Sequence, residues 1–322
     1  MLYHVYAVKH KDIGIREASR SGGIFTAVSD YILSKGGVVY GCEMKDATHA
    51  VHSRAERKIE RDQFRGSKYV QSDCENIYSL IKTDLMDDRF VLVSGTPCQI
   101  NAVKSYLNFK RVSTERLLLV DIVCHGVPSP AIWQDYVSWC EKNAKDDIMS
   151  VDFRDKSFGW NTHFETLKFS KFQKSNDIYT TMFYGHNILR PSCSCCPFTD
   201  TERISDITIA DFWGVDKVFP DFDDNKGVSL VLVNSRKGNE IINEIKGVLH
   251  YCETQIENCM QPPLEKPFNM PEDRSEFWKD YKSKEMEYLT RKYGGNNVKR
   301  KIGKKWRRIK RYIKMALRRE QG

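Results

Sequence analysis

Residues 90–124 read FVLVSGTPCQINAVKSYLNFKRVSTERLLLVDIVC, and this stretch decides the fold. The β-branched run at 90–95 predicts a strand. The segment after it predicts a helix with Pro97 in its first turn, and the run that ends at Cys124 predicts a second buried strand. The strands of such a strand–helix–strand unit are parallel, and adjacent more often than not. The sequence therefore predicts an α/β fold with some α+β character, in which a mixed sheet contains a βαβ unit that carries the functional site.

The same unit brings two cysteines to one edge of the sheet. Cys98 lies in the first turn of the predicted helix, and Cys124 lies at the end of the second strand. Because parallel strands open their carboxyl ends on the same rim, where open α/β sheets bind ligands, we expect the two thiols to lie close together. The dipole and the free N–H groups of a helix N-terminus also favour the thiolate form of Cys98.

A second cysteine-rich stretch, RPSCSCCPF at 190–198, completes a set of four thiols. Cys193 and Cys196 form a C-x-x-C pair, the spacing by which one turn offers two sulfurs to a single centre. Four thiolates suit an iron–sulfur cluster, and a proline beside a ligating cysteine is frequent in such runs. They equally suit a structural zinc, so cluster, zinc and no metal all stay open on spacing alone. The side chain of Cys195 should point away from its two neighbours, and we interpret it as a bystander.

The start of the chain and the cysteine count indicate the compartment. The first residues, MLYHVYAVKHKD, lack the apolar run of a signal peptide, and no stretch approaches 18 uninterrupted apolar residues, so we predict a cytoplasmic protein. In the cytosol ten cysteines are not expected to form a disulfide framework, and clustered ones are more often metal or redox ligands. We interpret the remaining five as small buried hydrophobic side chains: Cys42, Cys74, Cys140, Cys252 and Cys259.

The net charge of +8 is unevenly distributed along the chain. Residues 291–322 contain fourteen Lys and Arg and one acid, which gives +13. Residues 1–290 contain the other 37 basic and 42 acidic side chains, which gives −5. We therefore divide the chain into a mildly acidic domain at 1–290 and a basic tail at 291–322.

The tail has the pattern of an amphipathic helix. Ile302, Trp306, Ile309 and Ile313 recur every three or four residues, and basic side chains fill the other faces. This pattern predicts that residues 298–319 bind an anionic membrane surface, which would hold a cytoplasmic protein at the inner face of the membrane. Nucleic-acid binding is less favoured because RNA-binding tails rarely need a continuous apolar stripe, and a disordered tail is the third alternative.

Six blocks of sequence, in this order across residues 19–214, carry a resemblance to a known family. They are SRSGGIFTAV, FRGSKYVQS, SGTPCQINAVKSYL, DIVCHGVPSP, FRDKSFGW and CPFTDTERISDITIADFWG. Together they resemble the coenzyme F420 hydrogenase/dehydrogenase beta-subunit family, which also includes chlorophyll-pathway reductases. The resemblance implies that residues 1–290 form a flavin/iron–sulfur catalytic domain with FAD and a nearby 4Fe–4S cluster. Carried over position by position, the cluster ligands fall on Cys98, Cys124, Cys193 and Cys196.

One departure from the family changes the expected electron path. Many relatives carry an N-terminal ferredoxin-like segment with further cysteine runs, and this chain begins almost at the flavin region. We therefore expect a single cluster that receives electrons from a separate ferredoxin or other iron–sulfur partner. The resemblance leads us to expect a small organic substrate, either a deazaflavin such as coenzyme F420, as the family name implies, or a polysaccharide-biosynthesis intermediate. The alternative from another class is a non-enzymatic protein with a structural four-cysteine zinc site and a binding tail.

The blocks also contain candidate flavin ligands and catalytic residues. Ser21 is the expected N-cap of a helix that contains Ile24, Val28 and Ile32. The glycines beside this cap would let backbone N–H groups approach a phosphate, unless they merely cap the helix. A compact polar loop follows, in which a cation would stabilise reduced flavin and a tyrosine would stack, the alternative being a solvated loop. The predicted cofactor residues are Ser21, Gly22, Gly23, Arg65, Ser67, Lys68, Tyr69 and Thr96, and the candidate catalytic residues are His125 and Asp211.

Overall fold

The computed structural model describes residues 2–296. Its strands are β1 (His4–His10), β2 (Val38–Met44), β3 (Ala50–Ala55), β4 (Val91–Gly95), β5 (Leu117–Ile122), β6 (Ile148–Asp152), β7 (Glu165–Phe169), β8 (Gln173–Asn176), β9 (Ile207–Asp211), β10 (Ser229–Val233) and β11 (Leu249–Thr254). Its α-helices are α1 (Ile13–Ala18), α2 (Ile24–Ser34), α3 (Lys58–Arg61), α4 (Ile77–Met86), α5 (Pro97–Phe109), α6 (Pro130–Ala144), α7 (Ile178–Tyr184), α8 (Val215–Val218), α9 (Arg236–Ile245), α10 (Pro262–Glu265), α11 (Arg274–Ser283) and α12 (Met286–Lys292).

Eight strands form one mixed sheet in the order β11-β1-β10-β9-β5-β4-β2-β3. The four strands β2, β4, β5 and β9 run parallel to one another. The flanking strands β3, β10, β1 and β11 pair antiparallel with their neighbours. The predicted α/β fold with a mixed sheet is confirmed.

The strand–helix–strand unit has the predicted form. β4 and β5 pair in parallel, from Val91 opposite Leu117 to Gly95 opposite Asp121, and α5 connects them. The second strand ends at Ile122, so Cys124 lies in the loop just beyond it rather than on its last residue.

Both faces of the large sheet are covered, because alternate side chains of each strand point to opposite sides. Leu92 and Leu118 pack on one face with the apolar sides of α2 and α9. Val91, Val93 and Leu119 pack on the other face with α4 and α5. The parallel strands are therefore buried on both sides, as parallel sheets generally are.

A small antiparallel sheet, β6-β7-β8, packs against an aromatic cluster from α6 and α7. The Trp133 and Tyr179 rings lie 4.6 Å apart in this cluster. Glu165 on β7 is fully buried and accepts hydrogen bonds from the backbone N–H of Tyr179 (2.9 Å) and the hydroxyl of Thr180 (2.6 Å). Burial raises the pKa of this carboxyl to about 7. Glu165 thus anchors the first turn of α7, the helix that ends at Tyr184.

The predicted basic helix at 298–319 lies outside the described residues. The proposed domain boundary after residue 290 falls within α12, whose Leu289 and Thr290 are buried. None of the helices in residues 2–296 has both the length and the apolar character needed to cross a bilayer.

Candidate functional site

A cavity of about 910 Å³ lies at the carboxyl ends of the parallel strands. Its lining includes Cys42 from β2, Thr96 after β4, Cys124 after β5 and Asp211 from β9. This is the place where open α/β sheets bind ligands, and the volume is at the upper end of the range for small-molecule sites. The cavity is therefore large enough for a cofactor as well as a small substrate.

The first of the four predicted metal ligands is held by a helix start. Thr96 precedes α5, and its backbone N–H donates to the side-chain oxygen of Gln99 (2.9 Å). The Thr96 hydroxyl lies 3.2 Å from the Cys98 sulfur. The local geometry therefore fixes Cys98 in the first turn of the helix.

The loop after β5 carries the second thiol. The backbone N–H of Gly126 donates to the Cys124 sulfur at 3.4 Å. Burial raises the pKa of the Cys124 thiol to about 12. This thiol therefore stays protonated at neutral pH unless a metal or a strong base takes the proton.

The C-x-x-C pair is tied to the same loop by backbone contacts. The N–H of Arg190 donates to the carbonyl of Val127 (2.9 Å), and Pro128 forms a bridge with Leu189. Cys193 and Cys196 lie on and just after the 3₁₀ turn that follows. A chain segment 60 to 70 residues away is thus joined to the residues beside Cys124.

The four cysteines lie within electrostatic range of one another, and we call Cys98, Cys124, Cys193 and Cys196 the cysteine group. Burial is the main cause that raises the pKa of Cys193 and Cys196, and the neighbouring Cys98 thiol raises both further. Cys98, Cys193 and Cys196 all contribute to the raised pKa of Cys124. Within residues 2–296, no set of three or more His, Cys, Asp or Glu side chains has the geometry to hold a metal ion directly. The donor set fits an iron–sulfur or zinc centre in its chemistry, and binding would require the thiols to close further and lose their protons.

A buried ion pair connects the two loops of the cysteine group. Arg203 donates to the carboxylate of Asp121 (2.7 Å) and to the carbonyl of Phe198 (2.8 Å). Asp121 is fully buried and precedes Cys124 by three residues, whereas Phe198 follows Cys196 by two. Arg203 therefore fixes the spacing between the segments that carry these two thiols.

Cys195 lies outside this arrangement in the described chain. Its side chain is exposed, and its sulfur donates to the carbonyl of Ser192 at 3.6 Å. The prediction that Cys195 is not a ligand stays a prediction.

The predicted glycine-rich site differs from the expectation in detail. Ser21 is not the N-cap of α2, because its hydroxyl donates to the carbonyl of Val228 (2.6 Å) and Gly23 takes the cap position with φ +92°. The N–H of Gly22 already donates to the Ser229 hydroxyl (2.8 Å). A Cβ on Gly22 would lie 2.0 Å from the carbonyl oxygen of Val8, so close backbone packing explains this glycine. The start of α2 has no side-chain cap, and its first residues line the cavity.

The predicted polar loop, residues 65–69, also lines the cavity, Ser67 included. Arg65 donates to the hydroxyl of Thr26 in the first turn of α2 (3.1 Å), which places a cation beside the uncapped helix start. The Lys68 ammonium donates to the carbonyl of Arg65 (2.7 Å), and burial lowers its pKa to about 8. The Tyr69 ring stacks on Phe183 with centroids 4.4 Å apart, so one face of this ring is already covered.

The two candidate catalytic residues lie in different surroundings. His125 contacts the Tyr184 ring edge-on at 5.6 Å, and burial lowers its pKa to about 4. Asp211 lies between two guanidinium groups, 3.6 Å from Arg20 and 3.7 Å from Arg154. Since both neighbours are cations, Asp211 is placed to hold them rather than to act alone as an acid.

The comparisons with known proteins support a family assignment. The family model for the C-terminal part of the coenzyme F420 hydrogenase/dehydrogenase beta subunit matches residues 88–257. The chain belongs to this family. The match covers the βαβ unit and all four residues of the cysteine group. Membership of this hydrogenase/dehydrogenase family gives the chain a redox role of the oxidoreductase kind.

Solved structures support the fold. The chain is similar to a chain of the F420-reducing [NiFe] hydrogenase complex from Methanosarcina barkeri, solved as a xenon derivative, with a TM-score of 0.56 and 18% sequence identity. The similarity covers 81% of this chain and 84% of that one, and at this identity it establishes the fold alone. No curated protein matches the sequence.

Several residues that line the cavity of this chain were not predicted from the sequence. Arg20 and Arg154 lie within two of the quoted blocks, SRSGGIFTAV and FRDKSFGW, but their pairing with Asp211 depends on tertiary structure. Cys74, which the sequence predicts as a buried hydrophobic side chain, lines the cavity with its sulfur 3.3 Å from Nδ1 of His52. Cys42 also lines the cavity. The sequence feature that could have pointed to Arg20 and Arg154 as cavity residues is their position inside the quoted blocks.

Proposed function

We propose that the chain is an FAD- and 4Fe–4S-dependent oxidoreductase that transfers electrons between a ferredoxin-type partner and a small organic substrate. The observation that carries the proposal is the cysteine group, four thiols from three separate segments that converge beside a cavity at the strand ends. Cysteine thiolates are the usual ligands of such clusters. The family membership supports the redox role.

In this proposal the chain's own residues divide the binding tasks. Cys98, Cys124, Cys193 and Cys196 would hold the cluster. The uncapped start of α2 and the adjacent Arg65 would bind the flavin phosphates, because free N–H groups and a cation favour an anion there. Ser67, Lys68, Tyr69 and Thr96 line the remaining cavity and would orient the cofactor. A flavin, when bound, converts between one-electron and two-electron transfer.

The anaerobic absorbance spectrum and the metal content of the purified chain test this function. We expect iron, flavin released on denaturation, and a broad absorbance near roughly 400 nm from thiolate–iron charge transfer. Replacement of each residue of the cysteine group by serine should remove the iron. Cys252→Ser, a cysteine on β11 outside the cavity lining, is the matched control and should keep it. Zinc instead of iron, with no flavin retained after FAD is added, would support the structural-zinc alternative.

The proposal also covers the identity of the small organic substrate. The related hydrogenase complex is named for the reduction of F420, so a deazaflavin is one proposed substrate, and a polysaccharide-biosynthesis intermediate is the other.

We also propose that residues 298–319 bind an anionic membrane. Removal of residues 298–322 should release the chain from anionic vesicles and leave iron and flavin contents unchanged, which co-sedimentation and metal analysis measure. If the unaltered chain does not bind such vesicles at low salt, the membrane proposal is contradicted.

A further inference from the structure

Part of the cavity lining has more hydrogen-bond donors than acceptors. We call its residues, Arg20, Arg154, Tyr69, Tyr184 and Asp211, the arginine–tyrosine wall, and all five line the cavity. The Nη2 group of Arg154 and the Nε group of Arg20 have no hydrogen-bond partner within the described residues. The nearest carboxylate, Asp211, lies 3.7 and 3.6 Å from the two guanidinium groups, beyond ordinary hydrogen-bond length. Since buried polar groups are nearly always paired, these two donors are incomplete without an acceptor.

The two tyrosine hydroxyls add a further donor. Arg154 Nη1 donates to the Tyr69 hydroxyl at 2.9 Å and lies 3.4 Å from that of Tyr184. The two hydroxyl oxygens are themselves 3.4 Å apart. If one hydroxyl donates to the other, the hydrogen of the second has no further acceptor within residues 2–296. At least one O–H group of the pair is therefore free to donate to a ligand.

The charge of the wall is also unbalanced. Two guanidinium groups face one carboxylate, and the side chains of Arg154, Arg20 and Asp211 are only 3%, 10% and 13% exposed. A buried charge without a counterion is costly, so an added anion would be stabilised here. Trp213 lies beside the wall, with the Arg154 guanidinium 5.5 Å from its ring, and stacks on Trp160 at 5.2 Å. This indole offers an apolar surface for the organic part of the same ligand.

We infer that the arginine–tyrosine wall is a subsite for an anionic oxygen group of the substrate, either a carboxylate or a phosphate. That the wall binds an anion follows from the contacts described above. That this anion is part of the substrate rests on the proposed function. Arg154 Nη2, Arg20 Nε and one tyrosine O–H supply the donors. Asp211 holds the two guanidinium groups in position and repels an anion placed on its own side. The substrate class is thus an organic acid or a phosphate ester.

Isothermal titration calorimetry of the full chain tests the subsite, with oxalate and inorganic phosphate as probes at constant ionic strength. The titrations are made on flavin-free and on FAD-loaded protein. We expect one equivalent of at least one probe to bind both forms, and the tighter probe identifies the carboxylate or the phosphate. Tyr69→Phe or Tyr184→Phe should weaken binding about tenfold, because each removes only a hydroxyl and one of these two hydroxyls donates to the charged group. Tyr281→Phe is the matched control, since that hydroxyl bonds Asp135 outside the cavity lining, and it should bind like the unaltered chain.

Three results would overturn the inference. The first is that neither probe binds the unaltered chain. The second is that Tyr69→Phe and Tyr184→Phe both bind the probe as tightly as Tyr281→Phe does. The third is that binding disappears when FAD is loaded, which would assign the wall to the flavin phosphates. Arg154→Lys is a second variant, and circular dichroism shows whether it folds. A folded Arg154→Lys protein should also bind at least tenfold more weakly, since lysine lacks the fork of donors. A chain that retains neither iron nor added FAD, yet binds oxalate in a way that Tyr69→Phe or Tyr184→Phe weakens, would contradict the proposed function and leave the anion subsite standing.

Discussion

The cysteine group and the arginine–tyrosine wall belong to one cavity region but are built in different ways. The cysteine group is held mainly by backbone: a helix start, a loop after a strand and a 3₁₀ turn joined by the Arg190–Val127 hydrogen bond. The wall is held by side chains from distant segments that meet around Asp211. Backbone placement follows local patterns that a sequence displays, whereas side-chain convergence does not. The two parts should therefore respond differently to substitution.

The largest expected effect is at Gly22, beside the wall. Gly22→Ala would place a Cβ 2.0 Å from the carbonyl oxygen of Val8 and 2.6 Å from the backbone nitrogen of Ser229. Backbone cannot yield easily on both sides, so we expect destabilisation beyond the about 1–3 kcal/mol that is typical of overpacking, and little folded protein. Gly247→Ala, with open space around its Cβ position, is the control. A Gly22→Ala protein that folds normally and lacks only flavin would make this glycine a phosphate ligand instead.

The next effect concerns the ion pair beneath the cysteine group. Arg203→Met would leave the fully buried Asp121 carboxylate without its cation. We expect a loss of about 3–5 kcal/mol in the free energy of unfolding, measured by urea denaturation, together with reduced iron content. Arg236→Met removes an exposed pair with Glu240 and should cost under about 1 kcal/mol. Equal iron contents in the two variants would show that Arg203 does not set the spacing of the thiols.

A smaller effect, dependent on pH, is expected at Glu165, which anchors the helix that ends at Tyr184 of the wall. Because burial raises its pKa to about 7, the folded state binds a proton that the unfolded chain releases near pH 4.5. Its contribution to stability is therefore full below about pH 4.5 and is lost as the pH rises through about 7, in total about 3 kcal/mol. Glu165→Gln should remove this part of the change in unfolding free energy between pH 5 and pH 8. The exposed Glu244→Gln should leave the change intact. Identical pH profiles for Glu165→Gln and the unaltered chain would contradict the assignment.

The smallest effect is expected at Cys195, next to two residues of the cysteine group. Its side chain is exposed, so Cys195→Ser should change the unfolding free energy by less than about 0.5 kcal/mol and leave the iron content unchanged. Cys193→Ser, two positions earlier, should lose the iron. If the two results are reversed, Cys195 is the ligand and the C-x-x-C interpretation is wrong.

The sequence predicted those parts of the molecule that depend on short-range patterns. The βαβ unit, with its β-branched runs and Pro97 at the helix start, is confirmed because strand and helix periodicity are local. The N-cap at Ser21 is wrong because its hydroxyl donates across the sheet to Val228, a contact that no nearby residue reveals. Arg20 and Arg154 escaped notice because a charged residue looks exposed in sequence until its buried partner, Asp211, is known.

The position of β1 in the large sheet has a consequence for how the chain folds. β1 pairs with β10 and β11, and His4 bonds Glu253, 249 residues further along the chain. During synthesis the first strand must therefore wait for residues 229–254 before it gains either neighbour, and closure of so long a loop is slow. The N–H of Gly22 also lacks its partner until then, because it donates to the hydroxyl of Ser229 on β10. We therefore expect the nascent chain to form its βαβ unit early and to complete the cavity lining, which includes Ser229 and Gln261, only after β10 has been synthesised.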